Sequence, residues 1–173
     1  MLKKYLPNVY AKDVFEINYD KLKKSGIKCI LFDLDNTISP AKEVVLDKKL
    51  KELIDILKND FKIVIFSNNF PKRVSKFGNY YGVDIACISL KPLFFKYLYI
   101  LRKYKLKAKE VASVGDQLLT DIFGANKIGM TSVLVNPMTE IDETETWLNR
   151  QIEKMIFKHF KRKNFLVKGK YYD

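Results

Sequence analysis

The chain has 173 residues and a mass of 20.3 kDa, enough for one domain with a substantial core and too short for several modules. Hydrophobic residues make up 47% and charged residues 30%, which excludes disorder, a collagen-like repeat and a small disulfide-stapled scaffold. The chain has 32 Lys and Arg residues and 20 Asp and Glu residues, so its net charge is +12, and we expect an acidic partner.

The positive charge is concentrated at the two ends of the chain. Residues 1–28 carry a net +4 and residues 147–173 a net +6, whereas the 118 residues between them carry +2. A nearly neutral body with basic ends fits docking on an anionic surface better than a DNA-recognition element. Solubility, or the lysine bias of an AT-rich genome, would explain the same excess without a partner.

Strand-like apolar runs alternate with segments of helical period along the chain. The strands are predicted at 28–34, 62–67, 84–89, 111–115 and 131–135, and the helices at 47–58, 71–81, 92–104 and 119–129. This βαβαβαβαβ order predicts an α/β fold with a parallel sheet and helices on both faces. Cys29 and Cys87 fall in strand runs and are expected to be inert core thiols.

We expect a single domain over 1–173, with its core at about 27–136, a basic arm at 1–26 and a basic amphipathic helix and tail at 147–173. The C-terminal helix would carry Leu148, Ile152, Met155, Ile156 and His159 on one side and Arg150, Lys154, Lys158 and Lys161 on the other. It either lies on an anionic bilayer or packs its apolar side on the domain. With neither a signal peptide nor a run long enough to cross a bilayer, a cytoplasmic protein is expected.

Polar residues follow four consecutive strand runs, at the sheet edge where such folds bind ligands. Asp33 and Asp35 end the first run and would point the same way, so their charges demand a cation, for which Mg²⁺ is suited. The later runs are followed by Ser67 and Asn68, by Lys91, and by Asp116 with Asp121. Each residue alone could be a turn cap or a solvated charge, but the ordered set favours catalysis.

This order of motifs resembles the haloacid dehalogenase (HAD) type phosphatases, and it implies their capless Rossmann-like fold. The segments MLKKYLPNVY, DLDNT, SNN, KP and GDQLLTD are similar to the YqeG-type members over nearly the whole chain. That bacterial subfamily is similar to the mitochondrial phosphatidylglycerophosphate phosphatases, which remove a phosphate from a lipid headgroup at a membrane.

The resemblance implies a role for each motif residue. Asp33 would be the nucleophile, and Asp35 the general acid and base. Mg²⁺ would be held by Asp33, the main-chain carbonyl of Asp35 and Asp116, with Asp121 as a further ligand or an orienting group. Ser67 and Lys91 would hold the phosphoryl oxygens, with Asn68 and Thr37 as further substrate contacts.

The loops after the first two motifs have room for one helix each, so no cap is expected over the site. A capless enzyme is open to a bulky or surface-bound substrate. The resemblance, together with the basic ends and the open site, implies an Mg²⁺-dependent phosphomonoesterase acting on phosphatidylglycerophosphate at the inner membrane face. The alternatives are a phosphatase of soluble nucleotides or sugar phosphates, and an RNA- or ribosome-binding protein with a vestigial site. Nucleic acid is disfavoured because no aromatic and basic platform is evident.

Overall fold

The computed structural model describes residues 2–41, 43–139 and 147–173, with the side chains of the last segment described from Arg150 onward. Its strands form one parallel sheet in the order β1-β6-β5-β2-β3-β4. Their bounds are β1 Val9–Tyr10, β2 Cys29–Phe32, β3 Lys62–Phe66, β4 Asp84–Ala86, β5 Val111–Gly115 and β6 Thr131–Leu134. The five predicted strands are confirmed, and β1 adds a sixth that was not predicted.

Strand β2 lies at the centre of the sheet, between β3 and β5. All four of its residues are buried, which is why the sequence shows a continuous apolar run there instead of alternation. The pairing continues one residue beyond the strand, where the Asp33 amide donates to the Val114 carbonyl at 2.9 Å. The sheet therefore fixes the backbone of Asp33 at its carboxyl edge.

Helices cover both faces of the sheet, as predicted. The helices are α1 Tyr19–Lys24, α2 Lys48–Leu57, α3 Pro71–Tyr81, α4 Phe95–Lys103, α5 Phe123–Ile128 and α6 Trp147–Arg162. The first three share a core with Ile30 and Phe32 of β2, whereas α4 and α5 pack with Cys29 and Leu31 on the other face. Alternate residues of one strand thus enter different cores, as the two-residue period of a strand requires.

Two predicted helices differ in detail at the carboxyl edge. The helix expected from Pro92 begins at Phe95, because residues before it form a turn in which the Leu93 amide donates to the Leu90 carbonyl at 2.8 Å. The helix expected over 119–129 is a π-helical turn, Leu118–Ile122, followed by α5. Such turns are rare and often occur at functional sites. Both departures adjoin predicted site residues.

The N-terminal segment joins the sheet, because β1 pairs with β6 and Tyr10 also pairs with Tyr172 near the C-terminus. The C-terminal helix is confirmed as α6. Its Ile156 and Phe160 are buried in a core that includes Tyr10 and Leu134, so its apolar side packs on the sheet. The side chains of Trp147 and Leu148 lie outside the described residues.

Two expectations about which side chains are buried need adjustment. Met155, assigned to the apolar side of α6, is 65% exposed, because the buried stripe runs through Ile156 and Phe160 instead. Cys29 is fully buried as predicted, whereas Cys87 is only partly buried against the core. In the described segments no helix combines the length and the apolar character needed to cross a bilayer.

Candidate active site

A pocket of about 540 Å³ opens at the carboxyl edge of the sheet. It is bordered by the segments that follow β2, β3, β4 and β5. Six of the eight predicted site residues line it, namely Asp33, Asp35, Ser67, Asn68, Lys91 and Asp121. The other two adjoin it, since the Thr37 hydroxyl lies 3.3 Å from Asp33 Oδ2 and 3.5 Å from Asp116 Oδ1. The topology therefore brings all the predicted residues together.

The Lys91 side chain is the centre of the site. Its ammonium donates to Asp33 Oδ1 at 2.5 Å, to Asp121 Oδ1 at 2.6 Å and to the Phe66 carbonyl at 3.0 Å, and the side chain is 3% exposed. Burial lowers the pKa of Lys91, but the carboxylates of Asp121 and Asp33 outweigh it, so the pKa stands above its ordinary value. Lys91 is thus a permanent cation between two carboxylates.

Asn68 holds the backbone that carries Lys91. Its Oδ1 accepts from the Lys91 amide at 2.8 Å and from the Ser89 hydroxyl at 2.6 Å, while its Nδ2 donates to the Lys91 carbonyl at 3.3 Å. The side-chain amide expected to contact phosphate is therefore engaged with the lysine loop. Asn68 lines the pocket and positions Lys91 within it.

Three buried carboxylates, those of Asp33, Asp116 and Asp121, each place an oxygen within 4.8 Å of the others. Burial raises the pKa of Asp33 well above its usual value, against the opposing effect of Lys91. Burial likewise raises the pKa of Asp116 to about 7, although Arg150 opposes the shift. Buried like charges at this distance call for a cation, and carboxylate oxygens suit a hard divalent ion. The carboxylate of Asp35 is not part of this group.

The Asp35 carboxylate has its own partners on the other side of the pocket. Arg73 donates to its Oδ1 from Nη2 at 2.7 Å and from Nε at 3.2 Å, and Asn69 Nδ2 donates to its Oδ2. Sequence reasoning missed both partners. Arg73 lies in the first turn of α3, directly after the SNN motif, so its place at the ligand-binding edge was a signal available from the sequence.

Gly115 permits the close approach of Asp121 to the end of β5. A Cβ on this glycine would lie 2.2 Å from Asp121 Cγ, far inside van der Waals contact. The Asp121 carboxylate also accepts from the Gln117 amide at 3.2 Å. The glycine of the GD motif is therefore required by the side chain six residues later.

Helix α6 reaches the site through Arg150, which was expected on the exposed basic side of that helix. Arg150 Nη2 donates to Asp116 Oδ2, and Nη1 lies 3.3 Å from the Asp116 carbonyl and 3.0 Å from Glu153 Oε2. Glu153 is buried, and its Oε1 accepts from the Leu119 amide at 3.1 Å. Helical period alone could not show that Arg150 turns inward, because its target is a carboxylate distant in sequence.

Comparisons with known proteins agree with this geometry. A family model described as mitochondrial PGP phosphatase matches residues 2–77, and one described as HAD-hydrolase-like matches residues 90–152. The probable phosphatase YqeG of Bacillus subtilis is 35% identical over 168 residues, which cover 96% of this chain and 98% of that protein. The chain belongs to the YqeG-type phosphatases of the HAD superfamily.

This YqeG-type phosphatase has a more distant sequence relative and a solved structure of similar fold. Phosphatidylglycerophosphate phosphatase 1 of Arabidopsis thaliana is 26% identical over 174 residues, and the match spans 95% of this chain and 49% of that protein. The crystal structure of D,D-heptose 1,7-bisphosphate phosphatase from B. bronchiseptica, with magnesium and phosphate, has a TM-score of 0.53 at 18% identity, covering 75% of this chain and 99% of that one. The latter shows the fold, and the family identifies a hydrolase of phosphorylated substrates.

Proposed function

We propose that this phosphatase removes the terminal phosphate of phosphatidylglycerophosphate, giving phosphatidylglycerol, in an Mg²⁺-dependent reaction. It would act from the cytoplasm at the inner membrane face. The observation that carries the proposal is the buried Asp33–Lys91–Asp121 cluster in an open pocket, in a chain whose first 77 residues fit the family model of PGP phosphatases.

The first step forms an aspartyl-phosphate on Asp33. A carboxylate oxygen of Asp33 attacks phosphorus, and the bond from phosphorus to the glycerol oxygen breaks. Asp35 gives its proton to that leaving oxygen. Arg73 and Asn69 hold the Asp35 side chain in place. Lys91 and Ser67 bind the phosphoryl oxygens as charge builds on them.

The second step releases phosphate. Asp35, now ionised, takes a proton from a water molecule whose oxygen attacks phosphorus on the opposite side from Asp33. The bond from phosphorus to the Asp33 oxygen breaks, which restores both carboxyl groups and frees inorganic phosphate. Lys91 stays charged throughout, so it offsets the carboxylate of Asp33 in the free enzyme and the phosphoryl group in the intermediate.

Asp33 and Asp116, with Asp121 beside them and the main-chain carbonyl of Asp35, would hold Mg²⁺. Three buried carboxylates within 4.8 Å of one another fit a hard divalent cation, which supplies neutralisation of the phosphate charge when bound. Thr37 supports this arrangement, because its hydroxyl lies between Asp33 and Asp116.

The open pocket supports a substrate at a membrane surface. Over the described residues from 43 to 61 and from 68 to 83, the chain forms one helix in each case, α2 and α3, and no cap domain. A headgroup can therefore approach while its acyl chains stay outside the protein.

The test is phosphate release from phosphatidylglycerophosphate in anionic mixed micelles with Mg²⁺. We expect turnover by the wild type, a loss of about 10³-fold or more in Asp33→Asn, and full activity in Asp55→Asn. Asp55 is a matched control because it lies on α2, exposed and paired only with Lys51 and Lys58 among the described ion pairs. Chelation of the metal should abolish turnover.

Soluble phosphomonoesters tested in parallel distinguish the alternatives. Turnover of a nucleotide or sugar phosphate without turnover of the lipid would contradict the lipid assignment. Absence of turnover with every ester, together with steep salt-dependent RNA binding, would favour a binding protein instead.

A further inference from the structure

Five large apolar side chains are exposed on or directly next to the two loops that border the pocket. Phe70, Ile88, Leu90, Leu93 and Phe95 are between 42% and 72% exposed, and together they are called the mouth rim below. Phe70 also lines the pocket, as does Pro92 between two rim residues. The enzyme thus surrounds one side of a polar, charged pocket with side chains that water solvates poorly.

The rim is one surface, although it comes from two loops. The Ile88 amide donates to the Asn69 carbonyl at 3.0 Å, and the Ser89 amide donates to the Ser67 carbonyl at 3.0 Å, which ties the loop after β4 to the loop after β3. The Leu93 amide closes a turn onto Leu90 at 2.8 Å. These bonds hold the apolar side chains next to the catalytic residues of the same loops.

Side chains alternate between the rim and the catalytic site along residues 88–91. Ser89 and Lys91 are buried and point into the site, where they bond to Asn68 and to the carboxylates, whereas Ile88 and Leu90 are exposed. Both exposed residues have positive φ, 48° for Ile88 and 55° for Leu90, a backbone region unfavourable for large side chains. The same backbone that aims Lys91 inward therefore presents Leu90 outward.

The segment of sequence that carries the rim is strongly basic, although carboxylates line the pocket itself. From Phe61 to Lys109 the sequence has a single acidic residue, Asp84, and that residue pairs with Lys62 at 2.9 Å at the amino end of β4, away from the mouth. Lys72 is exposed beside Phe70, and the ammonium of Lys127 lies 5.5 Å from the ring of Phe94. Exposed apolar side chains with lysines nearby match the chemistry of an anionic lipid surface.

From these observations we infer that the enzyme docks on an anionic phospholipid bilayer through the mouth rim, with the pocket facing the headgroups. The inference rests on the proposed lipid substrate and adds the surface that meets it. Helix α6 is a poorer candidate, because its Ile156 and Phe160 are buried in the domain, and from Arg150 to Arg162 Met155 is its single exposed large apolar side chain.

The test compares three variants in flotation with vesicles of phosphatidylglycerol and phosphatidylcholine. The rim variant combines Leu90→Asn, Leu93→Gln and Phe95→Gln, three residues that do not line the pocket, and Asn tolerates positive φ. The matched control combines Ile56→Gln and Met155→Gln, which are 66% and 65% exposed on α2 and α6. The third variant replaces Lys154, Lys158 and Lys161 of α6 with Gln.

We expect the rim variant alone to lose about ten-fold or more of its vesicle binding, because it removes the apolar groups that enter the bilayer. Its turnover of p-nitrophenyl phosphate should stay within about two-fold of wild type. Turnover of phosphatidylglycerophosphate in vesicles should fall with binding, and turnover of the same lipid dispersed in detergent should not.

Several results would overturn the docking surface. They are flotation of the rim variant at the wild-type level, loss of flotation in the α6 variant instead, or a wild type that forms rim-dependent dimers and does not float. A wild type that hydrolyses dispersed lipid but never floats would refute docking and leave the proposed function standing. A wild type that floats through the rim but does not hydrolyse the lipid would refute the proposed function alone.

Discussion

Lys91 connects carboxylates that come from different parts of the fold. Asp33 follows β2 and Asp121 lies in the π-helical turn after β5, yet both bond to the same ammonium. Removing any one of the three would leave buried charges without their partners, which is costly in a site of this kind. Geometry at Asp121 is therefore expected to matter for activity although this residue is not the nucleophile.

The substitution Gly115→Ala tests this coupling. The added Cβ would overlap Asp121 and push its carboxylate away from Lys91. We expect turnover to fall about 10- to 100-fold, since small displacements in a catalytic site have effects of this size. Steady-state hydrolysis of a soluble phosphomonoester measures the change.

Asp121→Asn provides the comparison for the glycine substitution. Because both changes act on the same contact, the double variant should be no less active than the more impaired single variant. Fully additive losses would show that Gly115 acts by another route.

The two cysteines should differ in reactivity. Cys29 is fully buried in β2, and burial raises its pKa to about 12, so its thiolate is scarce at neutral pH. Cys87 is partly exposed, although burial raises its pKa as well. Native protein treated with iodoacetamide at pH 8 should be modified slowly at Cys87 and not at Cys29, and mass spectrometry measures the modification. The substitution Cys29→Ala should leave the rate of modification unchanged, and Cys87→Ala should abolish modification.

At the scale of the elements, α6 is attached to the active-site turn by one buried carboxylate. Glu153 accepts from the Leu119 amide with one oxygen and from Arg150 with the other. The side chain thus satisfies a backbone donor at the start of the π-helical turn and orients the arginine that reaches Asp116.

Glu153→Gln and Glu153→Leu should separate these roles. Gln retains a carbonyl oxygen for the Leu119 amide but presents an N–H donor to Arg150, so the free energy of unfolding should fall, though less than in the Leu variant. Leu leaves that amide unsatisfied and removes one acceptor of Arg150, which keeps Asp116, and we expect a loss of about 1–3 kcal/mol. Urea denaturation measures both values, and an equal loss in the two variants would contradict the hydrogen-bond explanation.

Most elements were predictable because their signals are local. The run at 28–34 is apolar throughout, since β2 is buried on both faces, and Pro71 and Gly82 mark the ends of α3. Strand β1 escaped prediction because its two residues are ordered by pairing with β6, more than a hundred residues away. The contact of Arg73 with Asp35 could have been predicted from the position of Arg73 after β3. The contact of Arg150 with Asp116 could not, because it depends on how α6 packs on the sheet.

For the whole molecule, the distribution of charge in the sequence pointed to the ends of the chain as the docking elements. The structure uses those ends differently, since Tyr10 lies in the sheet and Ile156 and Phe160 lie in a core. Composition gives the number of charged residues, but it does not show whether the apolar residues beside them are buried. Ile88 falls in a predicted strand and Leu93 and Phe95 in a predicted helix, and their exposure appears only once the loops are placed.

Ending the chain before Trp147 should therefore destabilise the protein as a whole. The truncation uncovers Tyr10 and Leu134 and removes Ile156, Phe160 and Leu166, each of which contributes about 2 kcal/mol by burial. We expect a lower midpoint of thermal unfolding and equal loss of activity on soluble and lipid substrates. A truncated protein of unchanged stability that lost only vesicle binding would contradict this expectation.

The pairing of Tyr10 with Tyr172 also sets an order of events during synthesis. Each amide donates to the other residue's carbonyl, at 2.7 and 2.9 Å, so the edge of the sheet is closed by residues from the two extremes of the chain. At about 5–20 residues per second, the ribosome adds Tyr172 roughly 8–30 s after Tyr10. β1 can pair with β6 once Leu134 is made, but its outer edge has no final partner until Tyr172 is added, and through that interval the nascent chain carries an open sheet edge that a chaperone could protect.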